Sequence, residues 1–180
     1  MIENINFKDL ENSDINLNLL NKFNRFQKID QYYKNEDDKW VLKNTDYSLN
    51  WGEYKIKEII SVFINALNND GYVIGAYDNE KLIGFAVLTI EKFETNEEYM
   101  ELKYIHVSLE YRHKGIGKQL FKICTERACK KNVKKIRVLA NDPEETQRFF
   151  LGIGFNDIKE INKKDIVKYP NQREMEYAIK

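Results

Sequence analysis

Arg112, Gly115 and Gly117 stand in one hexapeptide, Arg-His-Lys-Gly-Ile-Gly, between a run with strand character and a run with helical character. A helix start leaves four backbone N–H groups without partners and carries roughly half a positive charge, so it attracts anions. Glycines at such a turn let a phosphate or pyrophosphate come close to the main chain. Arg112, His113 and Lys114 add donors or charge beside it. The pattern is neither the phosphate loop GxxxxGK[ST] nor the dinucleotide fingerprint GxGxxG. With glycine at about 7% of residues, such a hexapeptide arises by chance at roughly one position in a few thousand. The residues alone therefore leave two readings open: an anion-binding turn, or a soft strand-to-helix connection beside solvated cations.

Other reactive side chains are few. Cys124 and Cys129 fall in a helical stretch that turns them apart and match no zinc or redox spacing, so they read as two reduced thiols. His106 and His113 are the only histidines, which excludes a histidine-rich metal site, and no metal is expected. His106 is read as a packed or hydrogen-bonded histidine, with catalysis as its alternative. Tyr32, Tyr33, Trp40 and Trp51 with Glu36, Asp37 and Asp38 are either an amine-attracting pocket or ordinary core aromatics beside a solvated acidic loop.

These groups need elements to position them. A short strand is expected around Ile5 to Phe7, and Ile15, Leu19, Leu20, Phe23 and Phe26 have helical spacing. Gln31 to Asn50 has no sustained period. Ile56, Ile59, Ile60, Phe63, Ile64 and Leu67 make a helical stripe ended by Asn68-Asn69-Asp70-Gly71, and Tyr72–Tyr77 with Leu82–Ile90 read as a hairpin. Tyr99 to Ser108 is a strand whose simple alternation puts Glu101, Lys103, Ile105 and Val107 on one face, with Leu102, Tyr104 and His106 on the other. A helix to about Lys131, a strand Ile136–Ala140, a helix opened by Pro143, and strands near Phe155–Ile161 and Glu174–Ile179 complete a mixed α/β sheet.

Lys plus Arg and Asp plus Glu each total 29 in 180 residues, so the formal charge is zero. No global basic field exists to hold phosphate backbones, and no nucleic-acid partner is expected. Tyr 11, Phe 10 and Trp 2 supply large burial units, enough for one folded domain. No apolar run approaches the roughly 18 residues of a membrane span, and Met1-Ile2-Glu3-Asn4 lacks the cationic start of a signal peptide. No membrane partner and a cytoplasmic address are expected.

Two strings, YIHVSLEYRHKGIGKQL at 104–120 and EETQRFFLGIGF at 144–155, resemble the GNAT superfamily of N-acetyltransferases. The first is similar to that family's acetyl-CoA signature, the second to its later aromatic helix. The order of elements from about residue 53 to 180 is similar as well, whereas the first fifty residues diverge.

The resemblance implies an α/β fold with a mixed, mostly antiparallel central sheet of about six to seven strands flanked by helices. Residues 1–180 would form a single domain: a divergent part, 1–52, carrying acceptor-site helices, and an acetyl-CoA-binding core, 53–180. The donor implied is acetyl-CoA, and the acceptor a primary amine of a small molecule or peptide that attacks the thioester directly. By position, the pantetheine arm would lie along Ile105, His106 and Val107, bonding the backbone of Ile105 and Val107. The pyrophosphate would take the amides from His113 through Lys118 (His113, Lys114, Gly115, Ile116, Gly117 and Lys118), with Arg112 beside them. Asn141 would serve the pantetheine, and Glu101 would be the base. Phe150 occupies the place where the family usually keeps a tyrosine acid. A thiol of pKa about 8.5 leaves at pH 7 with a protonation deficit of only about 2 kcal/mol, so transfer survives that loss. Tyr104, Tyr111 or water could substitute. Phe150 motivates an alternative, a non-catalytic acyl-CoA-binding module of the same fold. An RNA- or protein-docking domain with an incidental glycine turn is a third reading. By analogy with the family, a homodimer through the last strands is expected.

Overall fold

The computed structural model describes residues 5–91, 99–158 and 172–179. In chain order the elements are β1 (Ile5–Asp9), β2 (Gln27–Glu36), β3 (Lys39–Leu49), α1 (Glu53–Asn68), β4 (Tyr72–Asp78), β5 (Lys81–Glu91), β6 (Tyr99–Val107), α2 (Ile116–Lys130), β7 (Lys135–Ala140), α3 (Glu144–Gly152), β8 (Asn156–Asp157) and β9 (Arg173–Ala178). Seven strands form one sheet in the order β1-β4-β5-β6-β7-β9-β8, and β2 with β3 forms a separate hairpin. Every neighbouring pair in the large sheet is antiparallel except β6 and β7. The mixed, mostly antiparallel sheet expected from the sequence is the architecture found.

Period-two alternation along β4 and β5 divides the interior between two helices. Val73, Phe85 and Val87 face α1 and pack with its Ile59, Ile60, Phe63 and Ala66. Ile74, Ala86 and Leu88 face α2 and pack with Ile116, Leu120, Phe121, Cys124 and Ala128. Each fully buried large side chain contributes roughly 1.5–3 kcal/mol, so the central strands are held from both faces. Cys124 is buried, and that burial pushes its thiol up, whereas Cys129 is exposed. A thiol reagent is expected to label Cys129 alone in the native protein and both cysteines after unfolding; two fast thiols in the native state would contradict this packing.

The N-terminal third departs from expectation. The helix read from Ile15 to Phe26 does not form; Asn12–Asp14 makes one 3-10 turn and residues 17–22 run through successive turns. Asparagines explain this, because their side chains compete with helix hydrogen bonds. The Asn18 amide donates to Asn16 Oδ1 at 3.0 Å, and Asn21 Nδ2 donates to Asn18 Oδ1 at 2.8 Å. The apolar spacing still serves burial: Ile15, Leu19, Leu20 and Phe23 all pack on the α1-side core.

Among the described residues up to 52 no α-helix forms where acceptor-site helices were expected; the unassigned stretch is the β2–β3 hairpin. Its two-residue tip, Asp37-Asp38, has φ of 50° and 61°, the left-handed pair that a tight hairpin turn requires and that aspartate tolerates. Of the strand expected over Phe155–Ile161, Asn156–Asp157 forms and residues beyond 158 lie outside those described. Among the described residues no helix is long and apolar enough to cross a membrane.

Candidate acyl-transfer site

β6 and β7 are paired only through Met100 with Ile136 and Glu101 with Arg137. Beyond that point the strands part, and an opening separates Tyr104–Val107 from the C-terminal half of β7. The Ser108 amide donates to Ile83 O at 2.8 Å, and His106 lies opposite Phe85. In an antiparallel ladder the direction of the main-chain groups alternates, so His106 pairs with β5 while the N–H and C=O of Ile105 and Val107 turn into the opening. The main-chain groups of His106 are thereby used in the ladder with β5.

A β-bulge corrects the expected faces of β6. The register with β5 shifts between Val87 opposite Tyr104 and Leu88 opposite Leu102, leaving Lys103 as the extra residue. Met100 and Leu102 face α2 together with Ile105 and Val107, and Tyr104 packs on the α1 side. Glu101 therefore lies on the α1 face with Tyr104 and His106, not with Ile105. Its carboxylate accepts from Lys103 Nζ at 2.5 Å. Simple alternation could not reveal this, because nothing in the local residue types marks the extra position.

The hexapeptide turn lies at the mouth of the opening. Gly115 has φ +84° and caps α2, and the first intrahelical bond runs from Gln119 N to Gly115 O at 3.0 Å. Among the described residues, the amides from His113 through Lys118 have no hydrogen-bond partner. A Cβ on Gly115 would meet nothing within 4 Å, so this glycine is required by its conformation and not by crowding. Gly117 has the opposite reason, since a Cβ there would lie 3.1 Å from the Phe149 ring. His113 and Lys118 are exposed, and Lys114 Nζ donates to Glu110 O at 2.8 Å.

The Arg112 guanidinium is engaged within the chain. Its Nε donates to Val107 O at 3.0 Å and an Nη donates to Arg25 O at 3.2 Å, so the guanidinium ties the end of β6 to the N-terminal segment. Asn141 sits past the end of β7, where Oδ1 accepts from Gln172 Nε2 at 3.0 Å. Phe150 is buried in the α2-side core against Phe155, ring centroids 5.3 Å apart. Tyr111 is committed elsewhere, its hydroxyl donating to Asp78 Oδ2 at 2.7 Å. Tyr104, on β6, reaches α1: Lys55 Nζ donates to its hydroxyl and that hydroxyl donates to Glu58, both at 3.3 Å.

The aromatic and acidic group proposed from sequence does not assemble as one pocket. Trp51 packs on Phe23, Phe85 and His106, whereas Tyr32, Tyr33 and Trp40 belong to the hairpin. Asp37 and Asp38 are exposed at its tip. The hairpin is fastened beside the opening, where Tyr33 N donates to Asp142 O at 2.8 Å and Tyr32 bridges Pro143. Sequence reading gave no role to Arg25 or to Glu145, the latter inside the 144–155 string; tertiary structure brings them beside Arg112.

Residues 29–155 match the family model described as Acetyltransferase (GNAT) family. The chain belongs to the GNAT acetyltransferase family, and it is an enzyme of that family. No curated protein sequence matches it significantly. Its fold is similar to that of an acetyltransferase from Bacillus anthracis, a candidate for streptothricin, solved with acetyl coenzyme A (TM-score 0.69, 17% identity, 98% of each chain covered). It is equally similar to nourseothricin acetyltransferase (TM-score 0.69, 15% identity, covering 98% of this chain and 99% of that one). The PaiA N-acetyltransferase of Thermoplasma acidophilum, solved with coenzyme A, shares the fold at TM-score 0.61 and 17% identity, covering 98% and 99%.

In this GNAT acetyltransferase His106 has a marked environment. Burial among Trp51, Phe85 and Tyr104, then the Arg25, Arg112 and Lys55 cations, hold its imidazole well below the ordinary value. A histidine kept neutral when folded takes up a proton on unfolding once the pH falls below about 6.5, so its contribution is present above that pH and lost below it. Stability is therefore expected to fall between pH 7 and 5 by at most about 1.4 kcal/mol per pH unit from this group. His106→Phe, which keeps a ring in the cluster, should flatten that part of a melting-temperature profile; an unchanged slope would remove His106 as its source.

Proposed function

We propose that the chain transfers an acetyl group from acetyl-CoA to a primary amine of a small molecule or peptide by direct attack, without a covalent enzyme intermediate. One observation carries the reading: unpartnered amides at the start of α2 border the same opening as the outward-turned Ile105 N–H and C=O and the Val107 N–H, the Val107 carbonyl already accepting from Arg112. The first set suits a pyrophosphate and the second an amide-bearing arm. The relatives solved with acetyl coenzyme A or coenzyme A support this donor, and those named for streptothricin and nourseothricin support a small-molecule acceptor.

In the reaction the amine nitrogen bonds to the thioester carbon and the C–S bond breaks. The Ile105 N–H donates to the carbonyl oxygen as charge develops there. Glu101, on the α1 face, takes the amine proton directly or through water, and the sulfur leaves as thiolate and is protonated from solvent.

The test is thioester consumption with a panel of polyamines, aminoglycosides, amino acids and peptides. Acetylation of at least one amine class is expected. Silence across the panel with intact coenzyme binding would overturn the proposal.

A further inference from the structure

Arg25 lies in the segment that crosses the C-terminal end of β6. The segment is fixed there: Leu109 N donates to Asn24 O at 2.9 Å, Asn24 N donates to Ser108 Oγ at 3.0 Å, and Arg112 holds the Arg25 carbonyl. Arg25 is 9% exposed and its Nε is buried without a hydrogen-bond partner. Among the described residues its guanidinium makes no hydrogen bond or ion pair. The guanidinium lies over Trp51, 5.8 Å from the ring centroid, and Trp51 in turn meets His106 edge-on at 4.9 Å. Burial, reinforced by the Arg112 charge, pulls the guanidinium down to about 10. Glu145 offsets this only in part, for its carboxylate accepts from Gln27 Nε2 at 2.8 Å and lies 3.4 Å from His113 Nε2.

A buried, unpaired guanidinium is unfavourable, and an aromatic wall satisfies none of its N–H groups. We infer that Arg25 receives a carboxylate on the amine acceptor, so that the acceptors of this enzyme are amino acids and amino-acid-like amines. The inference rests on the acetyl-transfer reading above. A guanidinium matches a carboxylate in charge and in its paired donors. The partner belongs to the acceptor, because Arg25 stands with Trp51 and His106 on the α1 side of β6, whereas α2, whose first amides are unpartnered, packs on the other face.

The experiment compares kcat/KM for matched acceptors with and without the carboxylate, lysine against cadaverine and phenylalanine against phenethylamine, in wild type, Arg25→Lys and Arg25→Met. Wild type is expected to prefer the carboxylate-bearing partner by roughly 10- to 100-fold. Arg25→Met should erase the preference through the acceptor KM while leaving the KM for acetyl-CoA unchanged, and Arg25→Lys should retain part of it. Equal or better use of the decarboxylated partners by wild type overturns the inference, whether or not the variants fold. A change confined to the KM for acetyl-CoA also overturns it, assigning Arg25 to the coenzyme. If wild type binds CoA yet acetylates no amine, the transfer reading has failed. Calorimetry of lysine and cadaverine on the CoA-loaded protein then decides the carboxylate receptor separately: tighter lysine binding lost in Arg25→Met supports it, and no difference between them overturns it.

Discussion

Gly115→Val is expected to raise the KM for acetyl-CoA by about 100-fold, with a smaller change in kcat. The argument is conformational. Gly115 holds φ +84° with open space where a Cβ would go, so the chief cost of valine is the strain of that backbone region. Relaxing to negative φ turns away several of the amides between His113 and Lys118, each worth about 1.5–3 kcal/mol to a charged partner. Gly115→Asn supplies the control, since asparagine tolerates the left-handed region, and its KM should rise much less. Equal effects of the two variants, or none, would mean that the turn does not hold the coenzyme. Isothermal titration with CoA separates loss of binding from loss of rate.

Glu101→Gln is expected to lower kcat/KM by about 10²- to 10³-fold near pH 7. The loss should shrink as the pH approaches about 10, where an alkyl amine sheds its proton unaided. A structural role for the Glu101–Lys103 ion pair makes a different forecast, which Lys103→Gln reads directly. If Lys103→Gln costs as much as Glu101→Gln, with a flat pH profile for both, Glu101 is a strand-edge partner and not the base.

Much of the fold could be read from periodicity. The α1 stripe, the β4–β5 hairpin and the strand-turn-helix from Tyr99 onward appear where spacing and turn residues place them. The departures have specific causes. Asparagines between Asn12 and Asn21 override a helical apolar pattern through local side-chain bonds. The hairpin was unassigned because its faces alternate weakly and its turn is Asp-Asp, not the commoner Asn-Gly or Asp-Gly. The extra residue at Lys103 reverses parity in mid-strand, so Glu101 moved to the other face although the strand itself was foreseen. The strand-to-helix turn from Arg112 to Lys118 was legible from its glycines, although the internal bonds of the Arg112 guanidinium were not. Arg25 and Glu145 were not, because long-range packing brings them to Arg112.

The parting of β6 and β7 also bears on how long the enzyme survives. In the transfer reading proposed above, a coenzyme arm seated along Ile105 and Val107 would supply the neighbour that β7 leaves missing there. Any ligand that favours the native chain shifts the unfolding equilibrium, by about 2.7 kcal/mol at a hundred times its dissociation constant. The lifetime of this protein against proteases would then follow the size of the surrounding coenzyme pool, and scarcity of the donor would reduce the amount of enzyme as well as its rate.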